Sequence, residues 1–252
     1  MGVTERMAMD IDAGGLTYRE LNAALSDAVE HGADHITVHN VNGQRYIGTN
    51  LHGNVALELF GTPGNDLGAF MNGPAIRIHG NGQDGIGNTM NDGEIVVHGR
   101  TGDALGLAAR GGAIFVRDGT GYRAGIHMKE YESRRPLVVV GGGAQDFLGE
   151  YMAGGVLVVL GLDARGAGWS RARFVGTGMH GGVIYLRGHV QDHQLGKEVG
   201  VAALDEADRR VLEDAVQRYA HHFETDPGTI LSAEFIKLFP LYLRPYGRLY
   251  AY

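Results

Sequence analysis

The 252-residue chain contains no cysteine, which excludes disulfides, thiolate metal sites, iron–sulfur ligation and a cysteine nucleophile. Serine is scarce. Ser26, Ser133, Ser170 and Ser232 are the only ones, and none stands in a Gly-x-Ser-x-Gly elbow, so a nucleophile-elbow hydrolase has no support. No apolar run approaches the roughly 18 residues of a membrane span, and the start, Met1-Gly-Val-Thr-Glu-Arg, carries no apolar signal region. The expected compartment is therefore the cytoplasm. Basic residues are outnumbered, 22 − 29 giving a formal charge of −7, and no basic patch is interleaved with aromatics. Neither nucleic acid nor a membrane is an expected partner.

The chain is rich in glycine, 42 residues, placed with a period. Register glycines stand at Gly48, Gly68, Gly87, Gly106, Gly125, Gly149, Gly176 and Gly196, spaced by 20, 19, 19, 19, 24, 27 and 20 residues. Three positions later comes Leu51, Met71, Met90, Ala109, Met128, Met152 or Met179. A short alternating apolar run then comes next, among them Ile76/Ile78, Ile95/Val97, Ile114/Val116, Val138/Val140, Leu157/Val159 and Ile184/Leu186. Alternation at period two means a strand with those residues on one face. A unit of this length with one strand cannot bury its apolar face alone, so the units must stack and share a core. The spacing predicts an all-β solenoid, a parallel β-helix of about seven coils over residues 48–200. Its glycines, Gly68, Gly87, Gly106, Gly125, Gly149 and Gly176 above all, should form the corners, and methionine should fill the interior.

Residues 1–10 read as a disordered lead-in, and 11–47 as a small α/β cap over the open first coil. Within the cap, Thr17-Tyr-Arg-Glu20 forms a capping box that opens a helix running to His31-Gly32. Ile36–His39 and Gln44–Ile47 read as a hairpin about Asn42-Gly43. Two insertions, Lys129–Arg135 and Leu162–Phe174, leave the rod as loops, and the second carries Trp169. Residues 201–252 are expected to hold a helix over Asp205–Tyr219, a short helical piece near Ser232–Phe239, and a docking tail ending Pro240-Leu-Tyr-Leu-Arg-Pro-Tyr-Gly-Arg-Leu-Tyr-Ala-Tyr252.

Four patterns suggest chemistry. Gly80-Asn-Gly82-Gln-Asp-Gly85 matches the dinucleotide fingerprint, yet the next residues form another repeat copy and not a helix. His79 and His98 should point outward, one above the other, with Arg117 next in the column, which opposes a shared metal. Asp66, Asp84, Asp103 and Asp146 recur at corners, which suggests a turn role in preference to an acid/base pair. Finally, the residues between the inward ones are Val96, Phe115, Val139, Val158 and Tyr185 on five consecutive coils, an outward apolar stripe. Either the C-terminal helix or a partner protein must cover it. With Trp169, these residues are the candidate interface.

The runs Gly121-Tyr-Arg-Ala-Gly-Ile-His-Met-Lys129, Gly149-Glu-Tyr-Met-Ala-Gly-Gly155, Gly176-Thr-Gly-Met-His-Gly-Gly182 and Arg244-Pro-Tyr-Gly-Arg-Leu-Tyr250 resemble the GXGXG-domain family. That family comprises the C-terminal β-helix domain of the glutamate synthase large subunit and its stand-alone versions. The resemblance implies a right-handed β-helix with no catalytic, cofactor-binding or metal residue of its own. It also implies partners: a glutamine amidotransferase subunit and a synthase subunit carrying FMN and an iron–sulfur cluster. The same β-helix resembles the β-helix subunit of formylmethanofuran dehydrogenase and of a related formyltransferase/hydrolase complex. A free-standing binding or scaffold module is the third reading.

Overall fold

The computed structural model describes residues 7–163 and 172–243. Eleven strands form one continuous sheet, ordered β1-β2-β3-β4-β5-β6-β7-β8-β9-β11-β10. Strands β2 (His35–Asn42), β3 (Ala56–Thr62), β4 (Asn72–His79), β5 (Asp92–Val97), β6 (Ala113–Val116), β7 (Leu137–Val140), β8 (Ala153–Val159) and β9 (Gly181–Arg187) each pair in parallel with the next. The chain is thus a β-solenoid. The seven strands β3 to β9 enclose 7 − 1 = 6 turns, one fewer than the coil count expected from the register glycines. The last of those glycines, Gly196, lacks the left-handed conformation of the others and leads into the closing strands, not into another coil.

Register follows the repeat. Ile36, Leu57, Ile76, Ile95, Ile114, Val138, Leu157 and Ile184 stand side by side along the sheet. All are buried in one continuous core with Met71, Met90, Met128, Met152 and Met179. Each fully buried side chain of this size contributes about 1.5–3 kcal/mol, so the stacked column is the main source of stability.

The cap differs from the expected one. Strand β1 (Ala8–Asp12) begins within the stretch read as a lead-in and pairs in parallel with β2. Between them lies α1 (Tyr18–Glu30), opened by the Thr17/Glu20 capping box and ending before His31. Leu21, Leu25 and Ala28 of α1 close the solenoid core from below. There is no hairpin at Asn42-Gly43. Gly43 (φ +80°) turns the chain into the first corner, and Gln44 is buried, donating to the carbonyls of Ala13 and Leu16 instead of joining a strand.

At the other end, β10 (Val199–Ala203) leads into α2 (Glu206–Phe223) and α3 (Pro227–Leu231), and β11 (Phe235–Pro240) returns antiparallel between β9 and β10. The helical piece expected near Ser232–Phe239 is therefore mostly a strand. Ile236 and Leu238 alternate into the core beside Leu186 and Ile184, and this period of two outweighs the local helical pattern. Helix α3 sits earlier because Asp226 caps it and Pro227 takes its first position.

Candidate functional site

The corners carry the family-like pattern, and their geometry explains it. Gly68, Gly87, Gly106, Gly125, Gly149 and Gly176 all lie between φ +66° and +72°. The residues two before and two after are also left-handed, including Asp66, Phe70, Thr89, Ala104, Ala108, Arg123, His127, Phe147, Tyr151 and Phe174, though they are not glycine. Gly85 and Gly178 occupy two of these flanking places. This alternation aims successive amides at opposite neighbours. The Gly149 N–H donates down to Ala124 at 2.8 Å, while those of Phe147 and Tyr151 donate up to Arg173 and Thr177 at 2.9 and 2.8 Å. Each corner therefore bonds to both adjacent coils, which offsets the roughly 1–2 kcal/mol that each left-handed non-glycine residue costs.

At the central position an added Cβ would enter the core. A Cβ on Gly149 would stand 2.5 Å from Ile184 Cδ1 inside the core. Flanking side chains such as those of Phe70, Tyr151 and Phe174 point outward instead and are 48%, 42% and 49% exposed.

The corner aspartates also act between coils. Asp84 Oδ1 accepts the Asp103 N–H, Asp103 Oδ1 accepts that of Tyr122, and Asp146 Oδ1 accepts that of Arg173, each at 2.8 Å. Asp66 accepts from the Asn88 side chain at 2.9 Å. These carboxylates form a ladder along the rod, not a convergent acid/base pair.

His79 and His98 do stack, with centroids 5.3 Å apart, inside a longer column that runs His39, Phe60, His79, His98 and ends on Phe223 of α2. His79 is bonded to Glu58 at 2.5 Å. Burial first, then the neighbouring His79, Arg77 and Arg117 charges, holds the His98 pKa below the usual imidazole value. Among the described residues, no three His, Asp or Glu side chains gather as a metal-holding group.

The outward stripe is not an open interface. Val96, Phe115, Val139, Val158 and Tyr185 are at most 2% exposed and form a second core with Leu212, Ala215, Val216 and Tyr219 of α2 and Ile230 of α3. The chain's own helix covers it, so these five candidate interface residues are internal. Trp169 lies outside the described residues. Three polar clamps hold α2 in place. Tyr185 donates to Asp208 at 2.7 Å, and Lys237 bonds the same carboxylate at 2.8 Å. Tyr219 donates to the Arg117 carbonyl at 2.9 Å. Glu94 receives Arg218 at 3.2 Å and His222 at 3.3 Å. The His222 bond is the main cause of a Glu94 pKa below the ordinary carboxylate value. Sequence pattern revealed the stripe, but Asp208, Glu94 and His222 carried no signal, because their partners lie far away in the chain.

No helix opens after Gly80-Asn-Gly82-Gln-Asp-Gly85; the chain proceeds through a corner into β5. A shallow groove of about 300 Å³ there is lined by Asn81, Asp84 and Arg100, among others. A larger groove of about 770 Å³ lies at the carboxyl ends of β1 and β2, lined by Gly14, Thr17, His39, Asn40 and Phe60, among others. The capping box already occupies the Thr17 and Glu20 amides at that helix start.

Residues 33–244 match the model of the GXGXG motif family. The chain belongs to this family. It is also 45% identical over 248 residues to the uncharacterized protein MJ1350 of Methanocaldococcus jannaschii, covering 95% of each chain. The family match relates the chain to the glutamate synthase domain. Among the described residues no helix is long and apolar enough to cross a membrane.

Proposed function

We propose that this chain is a non-catalytic structural subunit of a glutamate synthase-like assembly in the cytoplasm. In that role it holds a glutamine amidotransferase subunit and an FMN/iron–sulfur synthase subunit in register, while glutamine and 2-oxoglutarate are converted to glutamate on those partners. The observation that carries this reading is the family match across residues 33–244. The construction of the chain supports it: the recurring residues serve coil-to-coil bonding, and the absence of cysteine removes the residue an amidotransferase nucleophile or a cluster ligand would need. A right-handed winding, the sense that parallel crossovers take, belongs to the same reading.

Purification of the tagged chain from its native cell, with absorbance spectra and mass spectrometry, tests the proposal. A yellow-brown complex containing an amidotransferase and a flavin/iron–sulfur protein is the expected result. Recovery with molybdenum- or tungsten-type formylmethanofuran dehydrogenase partners, with formyltransferase partners, or alone would refute it.

A further inference from the structure

The sheet has two edge strands, and they differ. Strand β1 carries Asp10 and Asp12 among its five residues, whereas β10 reads Val199-Gly-Val-Ala-Ala203, with no charge and no proline. Charged side chains and proline are the usual means of blunting a sheet edge. Val201 is 46% exposed on β10, and Leu241, 50% exposed, lies against Gly200.

The backbone of β10 faces this edge. Partners in the β10–β11 ladder have numbers summing to 199 + 240 = 439, and the Leu241 N–H donates to the Glu198 carbonyl at 2.8 Å in the same register, 198 + 241 = 439. Antiparallel ladders alternate bonded and non-bonded pairs. Gly200 and Ala202 therefore bond toward β11, and Val201 and Ala203 aim their N–H and C=O groups outward. Among the described residues no strand receives them.

We propose that this edge is a homodimer surface, on which β10 pairs antiparallel with β10 of a second copy, Val201 lying on Val201 across the twofold axis. The flanking charges select that register. With partner numbers summing to 201 + 201 = 402, exposed Lys197 stands opposite exposed Asp205 of the second copy, twice by symmetry. Sliding two residues one way places Glu198 opposite Glu206, and sliding two the other way places Lys197 opposite Ala203. A slip of one residue sets outward amides against residues already bonded to β11. A twofold axis makes one patch complementary to itself, and main-chain bonds along an added strand supply the attachment. This surface is independent of the proposed role in glutamate synthesis.

Size-exclusion chromatography with light scattering on the full chain should give twice 27.0 kDa, or 54.0 kDa. Val201→Lys places like charges on the axis and should return the mass to 27.0 kDa with an unchanged melting curve. Because the chain has no cysteine, Val201→Cys introduces a single thiol. Facing residues of a bonded antiparallel pair have Cα atoms about 5.5 Å apart, inside the roughly 4.4–6.8 Å that a disulfide spans. Oxidation should therefore cross-link the dimer. A monomeric wild-type mass, a dimer that survives Val201→Lys, or a dimer that Val201→Cys fails to cross-link would each overturn the proposal.

Discussion

Replacing Gly149 by alanine tests the corner geometry where its two constraints meet. The residue sits at φ +67°, and its added Cβ would lie 2.5 Å from Ile184 Cδ1 on the next strand. The left-handed backbone costs alanine about 1–2 kcal/mol, and forcing a methyl into a filled core adds about 1–3 kcal/mol. The smaller entropy of the unfolded alanine chain returns about 0.4–1 kcal/mol. The net expectation is a loss of roughly 2–4 kcal/mol, which for a chain of this size lowers the melting temperature by roughly 5–15 °C. Ala108→Gly provides the contrast. Ala108 is left-handed at φ +53°, but it flanks its corner on the outward side, where relief of about 1–2 kcal/mol is set against about 0.5–1 kcal/mol of glycine entropy. That variant should melt at or slightly above the wild type. Circular dichroism melts of both variants decide the matter. If Gly149→Ala melts with the wild type, or if the two variants lose stability alike, the distinction between central and flanking corner positions fails.

Two further perturbations address the helix that covers the stripe. Phe115 is fully buried, with the His222 ring 4.8 Å away and the Arg218 guanidinium 4.9 Å over its face; Phe115→Ala should cost about 3–5 kcal/mol in urea unfolding, whereas a partner-facing residue would cost almost nothing in the isolated chain. Glu94 has a folded-state pKa below its ordinary 4.5, chiefly through His222, so its contribution is fully present above that ordinary value and is lost as pH falls through the folded one. The stability difference between wild type and Glu94→Gln should therefore be largest near neutral pH and close in acid, and a difference independent of pH would refute the clamp.

The parts legible in the sequence were those that repeat. Ile76, Ile95, Ile114, Leu157 and Ile184 each stand eight residues after their glycine, and a stack of equivalent strands reproduces that recurrence directly as register. The errors fell where the repeat stops. Asn42-Gly43 resembles a hairpin turn locally, but β2 finds parallel neighbours on both sides, and Gln44 is drawn into the cap. The Phe235–Pro240 segment has a weak helical pattern, and its strand identity depends on the open edge of β9, about 50 residues earlier in the chain by the numbering.

The solenoid, its inward and outward columns and the need for glycine at the corners were legible in the residue order, because all of these follow from a period and the size of a missing side chain. The same order also showed that five outward apolar residues require a cover. That the cover is α2 emerges from the folded packing alone. That outcome depends on Asp208 reaching Tyr185 and Lys237, and on Glu94 reaching Arg218 and His222. Such contacts bring together residues with no shared period, and their energies exist only after the chain has closed on itself.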